Sequence, residues 1–551
     1  MKTSGKLGDK MENVRANLLL ACLWGGLVAV ALLTRPLLPV DETRYLAVAW
    51  EMWQRGDFLV PYLNGDPYSH KPPLLFWGIH AGWALFGVND WSPRLIAPLF
   101  GLASLMLTGM LGRMLWPDMA RTGRVAQAIL IGALFWTLFT TMTMFDMLHV
   151  CFTLSGLIGL VVASRGRGLH GFAVFGLSIG LGVLGKGPAI LLHVLPVALA
   201  APLWAKPFGW TGGWGRWYGG VGAAVLAGAG IGLAWALPAA AAGGEVYSNA
   251  ILWGQSAGRM VDSFAHGRPF WWFAAILPVM ILPWLIWPPI WRAVRAEWRQ
   301  MKAEGGTRLC FIWFVVAFLG FSAISGKQPH YLLPEFPALA LLASRALVGA
   351  QGLSGAFWRP IDRSLPATFF LLVAVLITGA LHFDLKPSWA TSVGDAQLWP
   401  LAVMAGAALV FARVPQGGLV VRTVLVGALS VMMIGVIHLT LRPLMTESHD
   451  FRPFSQALKK FEGQGMDFVT FGKYHGQFHF LGRLRRPIEV VDGPVELDAW
   501  LANHPKAMII ALHDGLPAGA APEASTRFRS RLIGVWQSNL YPPRVDRLNR
   551  P

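Results

Sequence analysis

Apolar residues run along this chain in long blocks separated by short polar turns, and many blocks approach the ~20 residues a helix needs to cross a bilayer. About thirteen spans are predicted, beginning near Ala16, Arg94, Val125, Met144, Gly171, Ala189, Tyr218, Phe270, Leu309, Tyr331, Ala367, Leu398 and Leu419. The run Leu74 to Phe86 is too short to span and reads as an interfacial or re-entrant helix. The pattern changes in two places. Between Pro39 and Pro73 lies a polar, loop-like stretch in which Tyr45, Val48, Ala49, Met52 and Trp53 recur at helical spacing, as in a helix lying on the bilayer surface. From 445 to 551 the apolar runs shorten, and strand-like segments at Phe468–Phe471, Ile488–Val491, Ala507–Leu512 and Leu532–Trp536 predict a small α/β domain. The expected architecture is therefore a polytopic α-helical membrane domain over residues 1–444, with interfacial helices in its first loop, followed by a soluble α/β domain over residues 445–551.

Composition agrees with the pattern: of 551 residues, 54% are hydrophobic and only 14% charged. The net charge of +17 raises the question of nucleic acid, but a polytopic membrane protein concentrates such an excess in cytoplasmic loops, so anionic membrane lipid is the expected partner and nucleic acid is not. Cys22, Cys151 and Cys310 fall in or beside apolar runs, where cysteine packs as a small hydrophobe. The first apolar run follows a basic leader with Lys2, Lys6, Lys10 and Arg15 and reads as a retained first helix. With the N-terminus cytoplasmic, the alternate loops carry Arg113, Arg121 and Arg124, then Arg165 and Arg167, then Lys206 and Arg216, then the strongly basic segment Trp291 to Arg308. That orientation sends both the first loop and the C-terminal domain outside.

Ionisable residues at membrane depth are costly and tend to face a cavity or pathway. Under this topology one face collects Asp41, Glu42, Arg44 and Lys71 from the first loop, Asp146 from TTMTMFDM, Lys186 from GKGP, Arg259, Asp262, His266 and Arg268 from a later loop, and Lys327, His330 and Tyr331 from SGKQPHYLLP. Carboxylates and cations so placed suit group transfer from a lipid phosphate, the cations neutralising the leaving phosphate and a carboxylate orienting the acceptor. Simpler roles stand beside this one. Asp41 and Glu42 suit a helix N-terminus, Lys186 a snorkelling position, and Lys327 with Tyr331, four apart, an interface anchor. His475 and His479 have metal-compatible spacing but lack a third ligand nearby. No Walker loop is present, which argues against nucleotide-driven chemistry.

The ordered series Asp41-Glu42-Thr43-Arg44-Tyr45, Gly56-Asp57-Phe58 with Pro61 and Asn64-Gly65, Lys71-Pro72-Pro73-Leu74, Lys186-Gly187-Pro188 and Lys327 to Pro334 resembles the GT-C class of membrane glycosyltransferases, in the branch of the protein mannosyltransferases. Within that class it more closely resembles the bacterial lipid A aminoarabinose transferases, and the resemblance runs through nearly the whole chain. The resemblance implies transfer of 4-amino-4-deoxy-L-arabinose from undecaprenyl phosphate to lipid A phosphates at the periplasmic face of the inner membrane, by a monomer, conferring polymyxin resistance. It implies catalytic roles for Asp41 and Glu42, and substrate-binding roles for Arg44, Tyr45, Tyr68, Lys71, Asp146, Lys186, Arg259, His266, Lys327 and Tyr331. No cofactor is expected to be required, the use of a divalent cation being left open, and Ser69-His70-Lys71 departs from an acidic residue often found before the lysine. The competing expectations are a related enzyme acting on protein hydroxyls or another glycan, and a polyprenyl-lipid flippase.

Overall fold

The structure, a computed structural model, describes residues 2–253, 267–352, 357–385, 394–413, 417–513, 521–528 and 531–539. The chain opens with α1 (Lys2–Thr34), α2 (Asp41–Arg55), a hairpin of β1 (Tyr62–Leu63) and β2 (Asp66–Pro67), α3 (Leu74–Phe86), α4 (Pro93–Leu115), α5 (Arg121–Gly132), α6 (Leu134–Phe139), α7 (Asp146–Ser164), α8 (Gly168–Lys186) and α9 (Ile190–Leu199). Further helices over Trp214–Ala242, Trp272–Met280, Gly305–Ala323, Phe336–Gly349, Ile361–His382, Trp399–Arg413 and Leu419–His449 complete the apolar part.

All thirteen predicted runs are helical, and eight helices among the described residues are long and apolar enough to cross a membrane. Four of the other five lie in shorter helices, while α1 is long but apolar only over Leu18–Thr34. The run from Val125 departs most from expectation: Ala133 turns extended, and the N–H of Leu134 bonds the Leu282 carbonyl instead of continuing the helix. Close approach of α7 and α8 depends on glycine, because a Cβ on Gly159 would sit 2.7 Å from the Gly171 carbonyl oxygen.

The helix α2 forms as its spacing predicts. It buries Tyr45, Leu46, Val48, Ala49 and Met52, and Gly56 ends it in the left-handed conformation at φ 65°. Leu74–Phe86 is likewise a separate short helix, α3.

The C-terminal region is a five-stranded sheet in the order β4-β3-β5-β7-β6, where β3 is Asp467–Phe471, β4 Glu489–Val491, β5 Ala507–His513, β6 Ala524–Phe528 and β7 Arg531–Gln537. β3 pairs in parallel with β4 and β5, while β7 runs antiparallel to β5 and β6. The four predicted strands are present. β6 went unpredicted because Ala-Ser-Thr-Arg-Phe, which alternates between half-buried and exposed with no fully buried position, gives a weak apolar signal.

This sheet domain is fastened to the first loop. Trp50 Nε1 donates to the Leu484 carbonyl at 2.9 Å, and Asn64 both donates to the Ile488 carbonyl and accepts its N–H, at 2.9 and 2.8 Å. Trp83 stacks on Phe480 at 5.3 Å. Both elements therefore share one side of the molecule. The opposite side gathers the basic loops, where Arg345 pairs with Glu297 and Glu304, Trp116 donates to Glu304, and Arg308 donates to the Leu203 carbonyl.

Candidate active site

The first loop holds its place through a buried carboxylate. The Glu42 side chain is 1% exposed and ion-pairs with Arg35, while also accepting the N–H groups of Leu38 at 2.9 Å and Thr143 at 2.7 Å. Arg94 donates to the carbonyls of Ala31, Leu32 and Arg35 beside it. Burial would raise the Glu42 carboxyl, but Arg35, Arg94 and the Thr143 N–H outweigh it and hold the group at about 2. Glu42 thus ties the end of α1, the start of α2 and the turn before α7 into one joint. Its contacts with Arg35, Leu38 and Thr143 all serve this joint, which gives Glu42 a holding role beside the catalytic one expected of it.

Asp41 is the next residue round the helix and points elsewhere. Its side chain is 49% exposed and forms an ion pair with Arg44. Arg44 stays charged despite its burial because Tyr68, Tyr45 and Asp41 surround it. Burial, with Asp41 and Tyr68 nearby, pushes the Tyr45 hydroxyl well up, so it remains a hydrogen-bond donor. The Tyr45 ring packs edge-on against Phe145 at 5.0 Å.

Phe145 is the bridge to the second half of the site. Lys71 Nζ lies 5.5 Å over its ring, and the next residue, Asp146, opens α7 with a side chain 4% exposed. Lys186, the last residue of α8, reaches Asp146 at 2.5 Å and sits 5.1 Å over the Tyr331 ring. Asp146 thus lies near Lys186, Lys71 and His330, and His330 near both Asp146 and Asp41. The first loop, α7, α8 and the 3-10 stretch Pro329–Glu335 thereby deliver three cations, Arg44, Lys71 and Lys186, against two carboxylates, Asp41 and Asp146. The surplus of positive charge in a partly dry setting is what an anionic phosphate requires.

Lys327 is 3% exposed, and its ammonium donates to the backbone carbonyls of Ile324 and of Arg268, the latter at 2.9 Å, so it pins the loop before Pro329. Gln328 is extended, so Lys327 and Tyr331 do not share a helical face. His479 is buried between the Tyr474 hydroxyl at 2.7 Å and the Arg486 carbonyl at 3.2 Å, an arrangement that stabilises the domain. Arg259, Asp262 and His266 lie outside the described residues. Among the described residues no group of three or more His, Cys, Asp or Glu could hold a metal ion.

His475, singled out in the sequence only for its spacing to His479, has a different setting: in a loop of the sheet domain whose neighbour Gly476 packs on Ala47 and Leu63, it lies where Arg44, Lys473 and Asp41 act on it, and burial chiefly keeps it neutral. Its proximity to Arg44 and Asp41 leaves no local mark, because they are more than 400 positions away.

Comparison with known proteins gives relatives in both sequence and fold. A family profile described as dolichyl-phosphate-mannose-protein mannosyltransferase matches residues 70–232. The chain is 32% identical over 318 residues to the undecaprenyl phosphate-alpha-4-amino-4-deoxy-L-arabinose arabinosyl transferase of Pseudomonas aeruginosa, covering 56% of this chain and 55% of that one. The enzyme of the same name from Edwardsiella ictaluri is 30% identical over 354 residues, covering 63% of this chain and 62% of that one. The matched stretches thus span little more than half the length of these curated relatives. The fold matches that of ArnT from Cupriavidus metallidurans, solved bound to undecaprenyl phosphate, with a TM-score of 0.71, 21% identity and coverage of 96% of this chain and 99% of that one. The chain is related to these transferases in sequence and carries the GT-C-type membrane fold.

Proposed function

We propose that this chain transfers 4-amino-4-deoxy-L-arabinose from undecaprenyl phosphate to a phosphate of lipid A, working as a monomer at the periplasmic face of the inner membrane. The observation that carries the reading is the convergence of Arg44, Lys71 and Lys186 with Asp41 and Asp146 at one face of the bundle. The names of the relatives supply the sugar and its carrier. We take residues 1–444 as the transferring unit and 445–551 as a periplasmic domain that closes over the first loop; the helix Leu419–His449 joins the two.

In this reading an oxygen of the acceptor phosphate attacks the anomeric carbon of the sugar as the bond from that carbon to the carrier's phosphate oxygen breaks. One C–O bond forms, one breaks, the configuration inverts, and undecaprenyl phosphate leaves with the electron pair. Lys71 and Lys186 stabilise the charge that returns to the carrier phosphate, and Arg44 steadies Asp41. A phosphate monoester has a second pKa of ~6 and is largely ionised near neutrality, so the acceptor needs little deprotonation. Asp41, half exposed and paired with Arg44, accordingly orients the acceptor instead of serving as a strong base. No step in this scheme draws on a metal ion.

The test is mass spectrometry of lipid A from a polymyxin-sensitive strain that makes the donor but lacks its own transferase, complemented with this chain or its Asp41→Asn form. Aminoarabinose added by the wild type alone supports the reading. No addition by either, with both present in the membrane, would overturn it and favour the protein-hydroxyl acceptors suggested by the mannosyltransferase profile.

A further inference from the structure

A second polar recess lies away from Asp41. Where the sheet domain meets the far end of α2, a groove of about 620 Å³ is lined by Trp50, Trp53, Gln54 and Arg55 from the helix and by Arg485 and Arg486 from the domain. Its walls are fixed. Trp50 and Gln54 both donate to the Leu484 carbonyl, and Asn64 closes a two-bond clasp with Ile488 nearby. Arg486 is held by Asp467 at 2.7 Å and by the Met466 carbonyl at 2.6 Å.

Charge in the groove is biased. Glu51 also lines it, but it is engaged by Arg55 at 2.7 Å and by the Gly65 N–H at 3.0 Å. Arg485 donates its backbone N–H to Glu462 at 3.0 Å, while its side chain is exposed and forms no ion pair among the described residues. An uncommitted guanidinium favours a phosphate, which it can grip with two parallel hydrogen bonds. Indole surfaces and an amide beside it suit the apolar faces and hydroxyls of a sugar ring. The combination is chemistry for a phosphorylated saccharide.

Position gives the groove a role. Thirteen residues of α2 separate Asp41 from Gln54, which at ~1.5 Å per residue places the groove about 20 Å from the reacting centre on the same side of the molecule. A single phosphate on an isoprenoid carrier cannot occupy both places, whereas an extended, multiply phosphorylated sugar headgroup can. We propose that this groove binds a phosphorylated sugar of the acceptor's headgroup remote from the phosphate that reacts at Asp41. The proposal rests on the assignment of lipid A as acceptor, and would make the sheet domain an element of acceptor selection.

The experiment uses the full chain in nanodiscs, with Arg485→Glu and Arg485→Lys variants. Binding of glucosamine 1-phosphate and of inorganic phosphate is measured by calorimetry, alongside the KM for lipid A and the affinity for undecaprenyl phosphate. Loss of a charge-assisted hydrogen bond should weaken glucosamine 1-phosphate binding and raise the lipid A KM about tenfold in Arg485→Glu, with Arg485→Lys recovering part and undecaprenyl phosphate affinity unmoved. Equal sugar-phosphate binding by wild type and Arg485→Glu, or no binding by the wild type, would overturn the proposal. Inorganic phosphate binding as tightly as the sugar phosphate would overturn its saccharide half. Should the wild type fail to modify lipid A yet lose glucosamine 1-phosphate on Arg485→Glu, the assigned reaction falls and the groove stands.

Discussion

Glu42 gives the sharpest test of how the first loop is held. Its carboxyl has an ordinary value of 4.5 and sits at about 2 in the folded chain. At ~1.4 kcal/mol per pH unit the difference amounts to about 3 kcal/mol of stability. The folded value is the depressed one, so this contribution is fully present above about pH 4.5 and is lost as pH falls toward 2. Glu42→Gln removes it at every pH and leaves Arg35, whose side chain is 2% exposed, as a buried charge without a counterion. Breaking such a pair costs about 3–5 kcal/mol, which agrees with the first figure. We expect Glu42→Gln to melt well below wild type in detergent at pH 7. The gap should narrow as pH falls below 4.5, because the wild type is then losing the same interaction. The double variant Arg35→Met with Glu42→Leu should recover much of the loss, since it removes both charges together. A Glu42→Gln protein that melts like wild type but transfers no sugar would refute the reasoning and leave Glu42 to the chemistry alone.

Asp41→Asn should behave in the opposite way, losing transfer by about a hundredfold or more while keeping the wild-type melting temperature, because a half-exposed pair with Arg44 contributes about 1 kcal/mol or less. Turnover that survives would remove Asp41 from the mechanism. Lys71→Ala should weaken undecaprenyl phosphate binding about tenfold, measured on the purified protein, as expected for one charge-assisted contact; unchanged affinity would leave Lys71 a packing partner of Phe145. Lys327→Met should lower the melting temperature by releasing the carbonyls of Arg268 and Ile324, with the donor affinity changing less than in Lys71→Ala. The reverse ranking would place Lys327 in the phosphate site.

Much of this protein is determined by its sequence alone. Membrane helices satisfy their own backbone, so the period and length of the apolar runs suffice to place them, and the amphipathic spacing in α2 sufficed for a helix with one buried face. The resemblance carried by Asp41 to Lys71 and Lys327 to Pro334 likewise pointed to one face. What the sequence could not decide is which of two adjacent carboxylates meets solvent. Asp41 and Glu42 are chemically near-equivalent in the string, yet one helical step of rotation sends Glu42 into a joint with Arg35 and Thr143 and Asp41 outward to Arg44. The anchoring of Lys327 was hidden for the same reason, since a carbonyl partner leaves no trace in side-chain spacing. His475 beside Arg44, and the groove between α2 and Arg485, exist only because distant segments pack together. Local pattern records periodicity and charge; partners across hundreds of residues are set by how the folded elements meet.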